Sequence, residues 1–246
     1  MRLLTYNIRM GSGSAFPEKQ GYDISTSQAK LDALAQAIRS VEPDIVALQE
    51  VRGSKQAEAL AQRLKFTSVY SSHGSSYSLD FFEWGLAFLC RYKIQQTTSR
   101  SIHFDATSRV GRLGLIVDVT LADVPVRFIN VHLHHADLSD QVQNILKLLA
   151  QKHPQPVLMG DFNCVPENPV LAPLQHKLGD TCLEAETKGA AEALSRGTLL
   201  WERSRVDYIF ADPAGFDIAD AGLIPEIHHS ASDHLGYFAH LEPKRL

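Results

Sequence analysis

Cysteine is scarce in this chain. Three residues, Cys90, Cys164 and Cys182, stand among 246, too few and too irregularly spaced for a disulfide framework or a zinc knuckle. Cys90 lies in an apolar run and reads as core. Long apolar runs are missing too: no stretch approaches the roughly 20 residues that span a bilayer. Polar residues begin by position 7, which leaves no room for a cleavable apolar segment, so the cytoplasm is the expected location. Positive charge is not in excess either. The formal net charge is −4, the wrong sign for a protein that holds nucleic acid mainly by neutralising many phosphates. A local basic groove stays open, because Arg91, Lys93, Arg100, Arg109 and Arg112 face a single acid, Asp105. The plainer reading of that segment is a solvated loop and strand edge. No linker rich in Pro, Gly and Ser, no run of like charge and no internal repeat marks a seam, so residues 1–246 are expected to form one domain.

What is present has the pattern of a mixed α and β protein. Leu31, Leu34, Ala35 and Ile38 recur at helical spacing over residues 27–40, with Ser27 as N-cap and Pro43 as stop. Asp44 to Leu48 is a short apolar run ending in Gln49 and Glu50, which predicts a buried strand with two polar residues at its end. A second helix is expected from Ser54 to Leu64 and a third over residues 139–151. Strands are expected at Phe66 to Tyr70, Gly85 to Cys90, Leu113 to Leu121, Val126 to Leu133, Val157 to Gly160, Val206 to Phe210, Phe216 to Leu223 and Leu235 to Leu241. Leu113 to Leu121 and Val126 to Leu133 are close enough to pair as a hairpin. Glu184 to Trp201 has no clear period.

The polar residues at strand ends carry the chemistry. Asp161 and Asn163 follow the apolar strand Val157 to Met159, and residues i and i+2 of an extended chain share a face. The device recurs at Asn7 after Leu3 to Thr5, at Glu50, at His132 after Val126 to Ile129, at Asp207 and at Asp233 and His234. Six such strand edges are hard to explain as independent turns. Carboxylates and a carboxamide oxygen are hard ligands suited to magnesium or manganese. Glu50, with Asn7 and Asp233, is the expected cation site. His132 and His234 suit hydrogen bonds to phosphoryl oxygens or proton transfer near neutral pH, and Asp161 with Asn163 suits the positioning of an attacking water.

Thr5-Tyr6-Asn7, Leu48-Gln49-Glu50, Asn130-Val131-His132-Leu133, Gly160-Asp161-Phe162-Asn163, Arg205-Val206-Asp207-Tyr208-Ile209 and Ser232-Asp233-His234 occur in this order. Together they resemble the endonuclease/exonuclease/phosphatase superfamily, the group of DNase I, the exonuclease III-type repair nucleases and the magnesium-dependent sphingomyelinases. The resemblance implies a four-layer α/β/β/α sandwich of two mixed sheets flanked by helices. It also implies a divalent-metal-dependent phosphoesterase, with Mg2+ or Mn2+ as cofactor. Glu50 becomes the principal metal ligand with Asn7 beside it, Asp161 the acid that orients or activates water, and Asn163 a phosphoryl contact. Asp207 orients His234 as an Asp and His pair, Asp233 lies near the metal, and His132 contacts phosphate. One departure is Cys90, where the family strand often has Ser before Arg.

Rival readings make distinct expectations. His132, His134 and His135 before Asp137 crowd imidazoles as metallo-β-lactamases do, but the Asp falls one residue too far along and strand geometry sends His135 to the opposite face. His134 and His135, like His228 and His229, read as exposed turn residues. An inactive binding protein on the same fold would have lost some of the eight polar positions, and none is replaced. Within phosphoesterases, the net acidity favours a small or lipid phosphate substrate over DNA cleaved by a DNase I or exonuclease III type of nuclease. Tyr77 to Trp84 is an aromatic stretch open to stacking on a base, a lipid contact or a core role. Arg9 and Arg112 are left between a phosphate-facing and a surface position.

Overall fold

The computed structural model describes residues 1–14, 27–74, 83–105, 110–121, 123–150 and 155–244. Its first half runs β1 (Arg2–Asn7), α1 (Gln28–Arg39), β2 (Ile45–Val51), α2 (Gly53–Leu64), β3 (Thr67–Ser72) and β4 (Gly85–Cys90). Then follow β5 (Ile94–Asp105), β6 (Val110–Leu121), β7 (Val124–His132), α3 (Leu138–Leu149), β8 (Gln155–Asp161), α4 (Ala172–Lys177) and β9 (Gly179–Asp180). The chain closes with α5 (Thr181–Glu184), α6 (Lys188–Arg196), β10 (Asp207–Ala211), β11 (Phe216–Leu223) and β12 (Tyr237–Pro243). The strands form two six-stranded mixed sheets, ordered β11-β12-β1-β2-β4-β3 and β5-β6-β7-β8-β10-β9. Each sheet has a parallel pair at its centre, β1 with β2 and β7 with β8, inside otherwise antiparallel neighbours.

Period-2 alternation explains the layering. In β1 Leu3 faces the second sheet while Leu4 and Tyr6 pack outward with α1 and α2; in β7 Val126 and Phe128 face inward while Ile129 and Val131 pack outward with α3. Both faces of the central strands are therefore apolar, as a sheet covered on both sides requires. The result is the α/β/β/α sandwich, with the interlayer core of Leu3, Phe88, Phe128 and Met159 at its middle. Helix α1 starts where the sequence predicts, the Ser27 hydroxyl accepting from Lys30 N–H at 3.3 Å.

The structure corrects one part of the sequence reading and fills in another. Residues 94–105, read as loop and strand edge, form a full twelve-residue strand at the edge of the second sheet. Their mostly polar composition fits a strand with one neighbour and much solvent. The stretch from Glu184 to Trp201 contains α6, whose Ala190 and Ala193 are buried. Of the aromatic stretch, Tyr77 to Phe82 lie outside the described residues, as does Arg109.

Candidate active site

The same alternation that packs the interlayer core delivers the site. Continue the inward faces toward one end of the sandwich: Leu3 and Thr5 lead to Asn7, Phe128 and Asn130 to His132, Val157 and Met159 to Asp161, and Ala211 and Ile209 back to Asp207. Register then fixes their height, because His132 lies opposite Asp161 across β7 and β8, and Asp207 lies opposite Asp161 across β10 and β8. Gly160 allows the close spacing. Its φ is +147°, and a Cβ there would stand 2.0 Å from the Val131 carbonyl oxygen.

Glu50 is the exception to parity. Val46 and Leu48 of its strand face outward, so regular alternation would carry Glu50 to the outer face as well. A bulge prevents this: between Leu48 and Val51 the register against β4 gains one residue, and Glu50 takes φ +52°. The left-handed backbone of a non-glycine residue at such a point is a form of strain typical of functional sites, and Asn163 shares it with φ +49°.

Asp161 sits at the focus. Its Oδ2 accepts from Asn7 Nδ2 at 3.0 Å and lies 3.4 Å from His132 Nε2 and 3.8 Å from His234 Nε2. Its Oδ1 accepts from the Asn163 N–H at 2.9 Å. Behind His234, Asp207 Oδ2 is 2.8 Å from Nδ1. Asn7 Nδ2 also donates to Glu50 Oε1 at 3.2 Å, so one carboxamide ties a carboxylate of the first sheet to one of the second. The Asn7 oxygen accepts the Arg9 N–H at 3.0 Å, and Arg9 Nε pairs with Asp233 at 3.2 Å. Asn163 donates its side-chain amide to the Leu133 carbonyl at 2.8 Å.

Electrostatics follow from the burial. Loss of solvent and then the Asp207 charge push the Asp161 carboxyl up to about 7, against the pull of His234 and of the Asn7 hydrogen bond. Burial disfavours the charged form of His234, but the Asp207 charge and hydrogen bond, joined by Asp161, win and push it up to about 10. Burial, reinforced by Arg112, holds His132 well below the usual histidine range, so it is neutral. Burial also raises Glu50, with the Asn7 hydrogen bond opposing.

The donor set fits a hard divalent cation. Glu50 Oε2 and Asp207 Oδ1 are shut off from solvent without a hydrogen-bond partner among the described residues, which is costly for a carboxylate. Donor atoms of Asp161, Asp207 and His234 lie within 4.8 Å of one another. Burial pushes the Glu50 and Asp161 carboxyls toward protonation, and a surplus of such oxygen donors is an arrangement that a divalent cation relieves.

A profile of the Endonuclease/Exonuclease/phosphatase family matches residues 4–234. The chain belongs to this family. Its fold recurs in a conserved protein of unknown function from Enterococcus faecalis at 22% identity and TM-score 0.79, covering 99% of this chain and 100% of that one. The catalytic domain of human Nocturnin with bound sulfate matches at 17% identity and TM-score 0.77, covering 99% and 93%. A mannosyl-6-phosphatase from Bacteroides thetaiotaomicron matches at 18% and 0.74, covering 98% and 99%. No curated protein sequence matches. At such identities the structures speak for the family fold alone.

Residues beyond the family motifs also line the site. Arg112, left open by the sequence, is buried with its guanidinium 4.7 Å over the Trp84 ring. Trp84 in turn stands edge-on to His132 at 5.8 Å and to His73 at 4.9 Å. No sequence pattern points to His73. Other histidines stay out of the cluster: His135 is exposed, and His229 is 3.1 Å from the Ile224 carbonyl oxygen. Arg9 is buried, engaged by Asp233 and by the Gly13 carbonyl.

Proposed function

We propose that the protein is a divalent-metal-dependent phosphoesterase that hydrolyses a small or lipid phosphate ester with an activated water. The observation that carries this reading is the convergence of Asn7, His132 and His234 on one oxygen of Asp161, with Asp207 behind His234.

Asp161 is the group that orients the water and takes its proton, since a carboxyl titrating near neutrality is matched to that task. The Asn163 N–H and the Asn7 amide fix its two oxygens. His234 is held charged and oriented by Asp207, which suits it to donate a hydrogen bond to a nonbridging phosphoryl oxygen as negative charge gathers there. His132 is neutral and fixed against Trp84, so it contributes a directed hydrogen bond and no charge. Asn163 flanks the phosphoryl group. Arg112 supplies a fixed buried cation. Glu50 would hold the magnesium or manganese ion, with the second lone pair of the Asn7 amide oxygen and the remaining acceptor sites of Asp233 available to join it while both keep their contacts to Arg9. When bound, the ion neutralises phosphoryl charge and stabilises the leaving oxygen.

The net charge of −4 supports a small or lipid phosphate over a long polyanion, and the sugar phosphatase of the same fold makes sugar phosphates a reasonable member of the substrate panel. The test is parallel hydrolysis of p-nitrophenyl phosphate, bis-p-nitrophenyl phosphate, a hexose phosphate, a sphingomyelin analogue and plasmid DNA with magnesium, manganese or EDTA. Turnover of a small or lipid ester that EDTA abolishes is expected. Cleavage of plasmid DNA alone would move the protein to the nuclease branch, and turnover unaffected by EDTA would refute the role given to Glu50.

A further inference from the structure

The bulge that brings Glu50 into the site has a prop, and the prop belongs to the other sheet. Asn130 stands on β7, two residues before His132, with its side chain fully buried between the sheets. Its Nδ2 donates to the Leu48 carbonyl at 2.9 Å and to the Ala87 carbonyl at 3.0 Å. Leu48 and Ala87 are the last pair of β2 and β4 before their register breaks. Its Oδ1 accepts from Gln49 Nε2 at 2.7 Å. Gln49 is the bulge residue next to Glu50, fully buried, and its remaining contacts are Thr5 Oγ1 at 3.1 Å and the Ala47 carbonyl at 3.2 Å.

We infer that Asn130 is a positioning residue for Glu50: it holds the β2 bulge open across the sheet interface, and so sets the cation site of one sheet relative to His132 and Asp161 of the other. Three features support this. Regular alternation would turn Glu50 outward, so the bulge is what delivers the carboxylate. The carbonyls of the last pair before the register break both accept from Asn130, which supplies the two hydrogen bonds from a single amide across the sheet interface. The third is continuity, since the same strand runs from Asn130 into His132 and thereby links the prop to the half of the site carried by the second sheet.

The inference rests on the metal role proposed for Glu50, and the experiment separates the two. Manganese binding to the full chain is measured by titration calorimetry for wild type, Glu50→Gln, Asn130→Leu, Asn130→Asp and Thr5→Val, with circular dichroism and urea unfolding as the check of fold. Glu50→Gln should abolish binding; if it binds as wild type does, the metal reading falls and this inference with it. Asn130→Leu, which fills the same space without donors, should weaken binding by about tenfold to a hundredfold, the range for residues that orient a ligand. Asn130→Asp keeps the acceptor and loses the donors, so it should weaken binding likewise, and it decides the matter if the Leu variant does not fold. Thr5→Val removes a partner of Gln49 but leaves both bulge carbonyls bonded, and should bind within about twofold of wild type. Turnover at saturating manganese should recover most of its wild-type value in the Asn130 variants. A folded Asn130 variant with wild-type affinity, when Glu50→Gln has lost it, overturns the inference, as does a Thr5→Val loss equal to that of Asn130→Leu.

Discussion

Replacing Asp161 with Asn should destroy activity and yet make the fold progressively more stable, relative to wild type, as pH rises. The carboxyl is buried, 1% exposed, and burial with the Asp207 charge pushes it up to about 7 in the folded chain from the 3.8 of an ordinary aspartate. The native state therefore holds a proton between pH 3.8 and about 7 that the unfolded chain has released. Wild-type stability falls across that window, because the folded state binds more protons. Three pH units correspond to about 4 kcal/mol at about 1.4 kcal/mol each, an upper figure that hydration of the site will reduce. At about 2–4 °C per kcal/mol for a chain of this size, the pH-dependent gap in Tm amounts to about 8–16 °C. The replacing amide adds a constant term of opposite sign. Whichever way it is turned, it sets an N–H against either the Asn7 amide or the Asn163 N–H, at a cost of about 1–3 kcal/mol that does not vary with pH. The variant should thus melt below wild type at pH 4 and at or above it at pH 8, both in EDTA. Magnesium, which favours the ionised carboxylates of wild type, should shrink the gap. A Tm difference that stays constant from pH 4 to pH 8 would refute the reasoning, whatever its size.

Other outcomes follow from the same geometry. His234→Gln should cut turnover by about 10²–10³-fold, the usual worth of one hydrogen-bond donor aimed at developing negative charge. It should also flatten the alkaline side of the stability profile: the charged ring beside Asp207 stabilises wild type fully below pH 6.5, and that contribution is lost as pH rises through about 10. Equal falls of the urea midpoint over that interval in both proteins would rule this out. Gly160→Ala places a methyl 2.0 Å from a backbone oxygen at φ +147°, and should lose at least the about 1–3 kcal/mol of an overpacked core, read as a drop in urea midpoint. Asp180→Ala strips its partner from Arg205, whose Nη1 donates to Asp180 at 3.2 Å in a pair that is fully buried. A loss of about 3–5 kcal/mol is expected, and a change below about 1 kcal/mol on urea unfolding would show that the guanidinium finds water instead.

Much of this was legible in the sequence, because the central strands are apolar on both faces and their ends are polar. Gly85–Cys90 and Phe216–Leu223 stand at the predicted residues, and the strand-end positions Asn7, His132, Asp161 and Asp207 follow from simple alternation. Residues 94–105 were not legible as a strand, since an edge strand buries little and its composition resembles a loop. Glu50 shows a different limit. Its identity as a chemical group is plain, but the bulge that turns it inward depends on Asn130, which is 80 residues away in the chain and reads from sequence as an ordinary motif residue. His73 and Trp84 are legible only in three dimensions, where the ends of β3 and β4 bring them against His132.

The parallel pair at the heart of each sheet puts half of the candidate site on each of two slabs that share few covalent links near it. Alignment between the slabs is then a variable in its own right. One residue along a strand is about 3.3 Å, whereas the contacts of Asp161 span 2.9–3.8 Å, so a slip of a fraction of one residue would part the halves with every side chain still intact. Interlayer residues such as Phe88, Phe128 and Met159 therefore act as spacers for chemistry they never touch. On the proposed function, turnover should be a sensitive gauge of how the two sheets are seated and should fade in partly loosened states well before secondary structure is lost.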